Sequence, residues 1–171
     1  KSLKSVTLNL SNATFTKSVS KDKIGDGANV QLNSCQVFFS DGTNLYEAYT
    51  TDGITAAETY FSGETLSQIN GATPAEFHFL PNDVNQVIVV GNMDEVDLGE
   101  ADANKKYTKT KDQLLAAVNA LTATTQQDPK ALKLYGIDTA LELLSTNHAD
   151  ENPTHSNPVY MAAKVELKPA V

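Results

Sequence analysis

Apolar and polar residues alternate most regularly at the two ends of this chain. Between Pro158 and Leu167, the residues Val159, Met161, Ala163, Val165 and Leu167 share one phase, and Tyr160, Ala162, Lys164 and Glu166 share the other. That is the period of a strand resting one face on a core. Val6, Leu8 and Leu10 alternate in the same way with Ser5, Thr7, Asn9 and Ser11, which predicts a second strand within the first dozen residues. Only Lys168 to Val171 follow the last strand, so the chain reads as a piece of something longer. An edge strand is the part of a sheet that can be removed, or supplied by another polypeptide, and strands at both ends raise that expectation.

Between them the pattern predicts further strands. Thr16 to Asn29 is polar and reads as a loop. Val30 to Ser40 is a strand in which Val30 and Leu32 hold one phase and Cys35, Val37 and Phe39 the other, so it changes face or bulges near Asn33-Ser34. Turn residues Ser40 to Asn44 lead to Leu45 to Thr50 and predict a hairpin. A weaker strand is expected around Thr59-Tyr60-Phe61. In Ala75 to Leu80 the alternation places Phe77 and Phe79 on one face and Glu76 and His78 on the other, making His78 a surface residue. Val87-Ile88-Val89-Val90 is apolar on both faces, as a strand covered on both sides must be.

The middle of the chain changes character. Thr110 and Gln113 form a capping box ahead of a helix from about Lys111 to Leu121, with Leu114, Leu115, Val118 and Leu121 as its apolar stripe. Thr122 to Pro129 reads as a polar loop, and a second short helix is expected at Asp138 to Leu144, with Leu141 and Leu144 facing inward. Strands do not alternate with helices here as a βαβ fold requires. The fold class is therefore mainly β: an antiparallel sandwich with a short helical insertion at about 110–145. Residues Val37, Phe39, Phe77, Phe79, Val87, Val89, Val159, Met161, Val165 and Leu167 are its expected core.

Composition bounds the function. The 171 residues suit a single domain, 1–171, with a real core. The formal charge of −8 disfavours nucleic acid and anionic membrane surfaces, and no apolar run approaches the ~18 residues of a membrane span. All 13 basic residues are Lys, so a protease specific for Arg has nowhere to cut inside the chain. The single Cys35 forms no internal disulfide and leaves the redox compartment open; in phase with Val37 and Phe39, it reads as a buried, inert thiol.

Candidate chemistry is sparse. His148, Asp150, Glu151 and His155 have ligand types at short spacing, and the run Asp94, Glu95, Asp97, Glu100 and Asp102 is acidic but lacks the register of a calcium loop. Both read as solvated loops, so no metal and no cofactor is expected. The nucleophile-elbow, phosphate-loop, dinucleotide-loop, paired-cysteine and zinc-protease motifs are all missing, which leaves no positive case for an enzyme. Asn9-Leu10-Ser11 and Asn12-Ala13-Thr14 match the glycosylation pattern but carry little weight at that length. Tyr46, Tyr49 and Tyr60 are the one aromatic group dense enough to suggest a binding platform.

The order of segments resembles the N-terminal domain of the fimbrillins of Bacteroidales, also called type V pilins. The resemblance runs from Ser5-Val6-Thr7-Leu8-Asn9-Leu10 through Val37-Phe38-Phe39-Ser40-Asp41-Gly42 and Phe77-His78-Phe79-Leu80-Pro81 to Val84–Asn92 and the closing Pro158–Leu167. The middle pieces are similar to the family's F-x-x-L-P … V-x-V-V-x-N segment. What the resemblance implies is a transthyretin-like β-sandwich, normally followed by a second sandwich domain that is absent here. It also implies export as a lipoprotein precursor to the bacterial outer surface, removal of an N-terminal strand by an Arg-specific protease, and donor-strand exchange into the emptied groove. Partners would be other fimbrial subunits, and host proteins or glycans. The chain departs from the pattern in lacking a lipobox Cys near its start and an Arg cleavage site. Val6, Leu8 and Leu10 are then the strand-exchange candidates, on either the removable strand or the first permanent one. The alternative is a surface-exposed β-sandwich module binding a glycan or host protein.

Overall fold

The computed structural model describes residues 3–12, 31–71, 73–119, 132–145 and 159–170. Ten strands dominate it: β1 Leu3–Asn12, β2 Ser34–Ser40, β3 Asn44–Tyr46, β4 Tyr60–Ser62, β5 Ala75–Pro81, β6 Gln86–Gly91, β7 Lys106–Thr110, β8 Leu134–Asp138, β9 Glu142–Ser145 and β10 Val159–Pro169. Two α-helices, α1 Ser67–Asn70 and α2 Lys111–Asn119, and a 3-10 helix at Gly63–Leu66 complete it. The mainly β fold read from the pattern is the fold observed. The strands form one curled path, β5-β1-β10-β8-β6-β2-β3-β7, with β4 added beside β2 and β9 beside β10.

The curl brings two halves of the sheet face to face. Val6 and Leu8 of β1, Phe77 of β5 and Ala163, Val165 and Leu167 of β10 meet Cys35, Val37 and Phe39 of β2, Val87 and Val89 of β6 and Leu134 of β8 in one inner core. β10 belongs to both halves: it pairs along β1, then reaches β8 through Lys168 and Pro169. Gly136 makes that crossing possible, since a Cβ there would lie 2.5 Å from the Glu166 carbonyl oxygen. Of the ten expected core residues, Val159 and Met161 are partly buried and the rest are buried.

A second apolar layer covers the far side of β2 and β6. Phe38, Ile88 and Val90 pack there with Leu45, Leu98, Leu114 and Val118. α2 supplies the last two and begins with the expected capping box: Gln113 N–H donates to Thr110 Oγ1 at 3.3 Å, and Thr110 N–H donates to Gln113 Oε1 at 2.9 Å. This layer explains why all seven residues of β2 are buried although only one of its phases is uniformly apolar. The β2–β3 turn also forms as expected, with Asp41 Oδ1 accepting from Thr43 N–H and Asn44 N–H and Gly42 at φ 104°.

Five expectations are corrected. The sheet is mixed rather than antiparallel, because β1 and β10 run parallel through nine paired positions from Lys4↔Val159 to Asn12↔Leu167. β1 is not an edge, since β5 pairs along its other side. Among the described residues the helical insertion at about 110–145 contains α2 but no second helix: the segment expected as one, Asp138 to Leu144, contains the end of β8 and most of β9. The i, i+3 spacing of Leu141 and Leu144 was coincidental there, because pairing with β6 and β10 satisfies the backbone and leaves Leu144 53% exposed. Finally, Phe77 and Phe79 do not share a face. The register of β5 against β1 slips between Lys4 and Val6, Phe79 takes φ 62°, and its ring turns away onto Gly53. His78 is consequently buried, at 4% exposure, and not on the surface. The expected loops at Thr16–Asn29 and Thr122–Pro129 lie outside the described residues.

These assignments separate two leucine-sized side chains that look alike in sequence. Ile88→Ala should cost about 2–5 kcal/mol, the usual range for emptying a close-packed site, whereas Leu144→Ala should change stability by less than about 0.5 kcal/mol. Urea denaturation of both variants checks this; comparable losses would return Leu144 to the core and the segment to a helix.

Candidate functional site: the groove around the first strand

β1 is held by strands far from it in the chain. β10 flanks it in parallel and β5 flanks it antiparallel, so its backbone groups are paired on both sides. Val6 and Leu8 are 0% and 1% exposed, and Leu10 packs at the margin of the same core. Burying two such side chains is worth roughly 1.5–3 kcal/mol each. The structure thus brings all three strand-exchange candidates onto one face, directed into the sandwich.

The polar residues around them are less expected. Lys4 shares the phase of Val6 and Leu8 and is 8% exposed. Its Nζ donates to the carbonyl of Val84, in the turn that carries the chain from β5 in one half of the sheet to β6 in the other. Val84 is fully buried; its own N–H donates to Pro81 at 3.1 Å, and Asn85 N–H donates to Ser40 at 2.9 Å. Lys4 therefore ties β1 to the closed end of the sandwich. Burial pushes its ammonium pKa down, partly offset by the Asp83 carboxylate nearby. One position on, Ser5 Oγ lies 3.0 Å from His78 Nδ1, and His78 Nε2 lies 3.4 Å from Glu76 Oε1. Tyr160, opposite Ser5 on β10, meets the imidazole edge-on with ring centroids 6.4 Å apart. Hydroxyl, imidazole and carboxylate in that order suggest a nucleophile chain. Ser5, however, sits mid-strand at 8% exposure with neighbours on both sides, so the chain orders β1 instead of presenting a nucleophile.

The other candidates are dispersed. Tyr46 packs against the inner core and donates to Asp41 Oδ2 at 2.9 Å. Tyr49 donates to Glu47 Oε1 at 2.5 Å and carries Lys105 Nζ 3.9 Å above its ring, while Tyr60 lies in β4 opposite Gln36. They form no common platform. In the acidic run, Asp97 and Asp102 accept from the backbone of their own turns, through Gly99 N–H at 3.0 Å and Asn104 N–H at 2.8 Å. Beside the run, Gln36, Thr59, Tyr107 and residues 95–99 line an open cleft of about 430 Å³. Among the described residues no three His, Cys, Asp or Glu side chains converge as metal ligands; His148, Asp150, Glu151 and His155 lie outside them. No helix among the described residues is long and apolar enough to cross a membrane.

Pattern does not single out Lys4 or Ser5, and it assigns His78 to the surface. A lysine in the apolar phase at the start of a strand was the available signal for the first of them. Asn92, at φ 60°, was equally silent. Its side chain accepts from Asn33 N–H at 2.6 Å and donates to the carbonyls of Gln31 and Leu132, both at 2.7 Å, stitching together the approaches to β2 and β8.

No protein-family model matches the chain, and no curated protein matches it in sequence. Among solved structures, it is similar to a crystal structure of a candidate cell adhesion protein from Bacteroides eggerthii, with 14% identity and a TM-score of 0.39 over 98% of this chain. The chain spans 40% of that protein's length. A likeness at that level assigns neither family nor role.

Cys35 offers a direct probe of the inner core. It is 1% exposed, and burial pushes its thiol pKa up to about 12. A raised acid pKa favours the neutral form in the fold. Stability from this group is thus intact below the unfolded thiol's pKa near ~8.5 and declines as pH climbs toward the folded value. A thiol reagent at pH 8 should label Cys35 no faster than the protein unfolds, and addition of denaturant should release the reaction. Rapid labelling of the native chain would place the thiol outside the core.

Proposed function

We propose that this chain is a non-catalytic structural or adhesive domain of a bacterial cell-surface fimbria, assembling through strand exchange at the position of β1. The observation that carries this reading is the setting of β1. It lies between β5 and β10, each reached only through long stretches of chain, and its apolar face completes the inner core. A groove bounded by two strands accepts backbone hydrogen bonds along its length and apolar side chains at alternate positions, whether a strand of the same chain or of another supplies them. The resemblance of the segments from Ser5 to Leu167 to the fimbrillins supports the same reading. So does the acidic, Lys-only composition, which suits an exported surface domain exposed to Arg-specific proteolysis. Subunits of one fimbria are the partners under this proposal, and the outer surface is its location.

The test uses the full chain with a protease site introduced between residues 13 and 30, cut after folding. The cut protein should keep its β-sheet circular dichroism and, over days in mild urea, exchange its first strand for a labelled peptide of residues 1–12. A cut protein that stays folded under those conditions yet never takes up the peptide would defeat the strand-exchange reading and make β1 an ordinary integral strand.

A further inference from the structure

We propose that the groove between β5 and β10 selects its occupant by an amino group at the position of Lys4, so that the strands it accepts from another chain carry a basic residue two positions before the first buried apolar one. This inference rests on the strand-exchange reading and adds the chemistry of the partner to it. Val6 and Leu8 explain why an apolar strand binds, yet they say little about which one. Many β-strands carry alternating Val and Leu, and apolar pockets discriminate weakly between side chains of similar size. The end of the groove is different. Its floor there is the carbonyl of Val84, a residue with no solvent exposure, and the preceding residue, the exposed Asp83, acts on the Lys4 ammonium as a favourable charge. The Nζ of Lys4 meets that carbonyl from within the strand.

A strand with an apolar residue at this position would leave the Val84 carbonyl without its donor, away from water. A strand with a carboxylate there would bring a negative charge against the buried Val84 carbonyl, with the exposed Asp83 adding a weaker, solvent-screened repulsion. One lysine therefore supplies an attraction for the right strand and a penalty for wrong ones. Register is selected as well. Sliding the strand by one residue would carry the ammonium to the opposite face and turn Val6 and Leu8 out of the core; sliding it by two would carry the ammonium away from the Val84 carbonyl. Ser5 reinforces the register through His78, 3.0 Å away on β5.

The cut full-length chain provides the measurement. Labelled peptides of residues 1–12 carrying Lys4, Lys4→Arg, Lys4→Met or Lys4→Glu are exchanged into the same acceptor, and affinity is read by fluorescence anisotropy. The acceptor is unchanged across the series, so differences belong to the strand and not to folding of the acceptor. Lys4→Met, which keeps length and apolar stem, should bind at least tenfold more weakly than Lys4, and Lys4→Glu at least a hundredfold more weakly, with Lys4→Arg recovering part of the loss. An Asp83→Asn acceptor should shrink the Lys4 to Lys4→Glu gap severalfold. Equal affinities within twofold for Lys4, Met and Glu peptides would overturn the inference while leaving strand exchange standing. Failure of every peptide, Lys4 included, would instead remove the strand-exchange reading itself.

Discussion

The parallel register of β1 on β10 is the constraint from which the rest of this structure follows. Parallel neighbours cannot be joined by a tight turn, and here the two strands are the first and last described elements of the chain, so nothing local sets their alignment. What aligns them is the shared phase of Val6, Leu8, Val165 and Leu167, all buried in the same core. A slip of one residue would turn that whole set outward. β10 then has to leave β9, continue along β1 and reach β8 at its far end. A strand that serves both halves in this way needs a neighbour that can come close, which is the office of Gly136.

The opposite end of β1 is organised by a departure from regular pairing. The irregularity in β5, with Phe79 in a left-handed conformation, lets Phe77 fill the inner core against Phe39 while the Phe79 ring turns onto Gly53. It also draws His78 inside, where its backbone pairs with Tyr49 in both directions at 2.8 Å and its ring meets Ser5. Left-handed backbone at a phenylalanine costs on the order of 1–3 kcal/mol and persists because the surrounding packing over-determines it. The consequence is a first strand whose middle, at Val6 and Leu8, is apolar and whose beginning, at Lys4 and Ser5, is held by polar contacts to Val84 and His78.

The second apolar layer sets the surroundings of the central strands. With α2, Leu98 and Leu45 over the outer face of β2 and β6, that half of the sheet is covered on both sides. Gln36 pins the covering segment by holding Val96 at both its N–H, 2.8 Å, and its carbonyl, 3.2 Å. This half of the sheet is therefore buried on both faces, with the cleft beside Gln36 and Tyr107 open at its margin.

Period-two alternation by itself determined that β1, β2, β5 and β10 are strands, an unbroken apolar run determined β6, and the capping box with its apolar stripe determined α2, because these signals are local: each depends on side chains within four residues of one another. The burial of Val6, Leu8, Val37, Phe39, Val87 and Val89 followed from the same counting. Tertiary structure alone decided that β1 is interior and parallel to its partner, that Asp138 to Leu144 is not helical, and that His78 is buried. Pairing partners are chosen by long-range burial. A short segment such as Leu141 to Leu144, whose helical and extended patterns are nearly equal in strength, takes whichever form the sheet beside it will satisfy. The role of Lys4 belonged to the same class. In sequence it is one lysine of 13, and only the fold brings the Val84 carbonyl, 80 residues away, to its ammonium group.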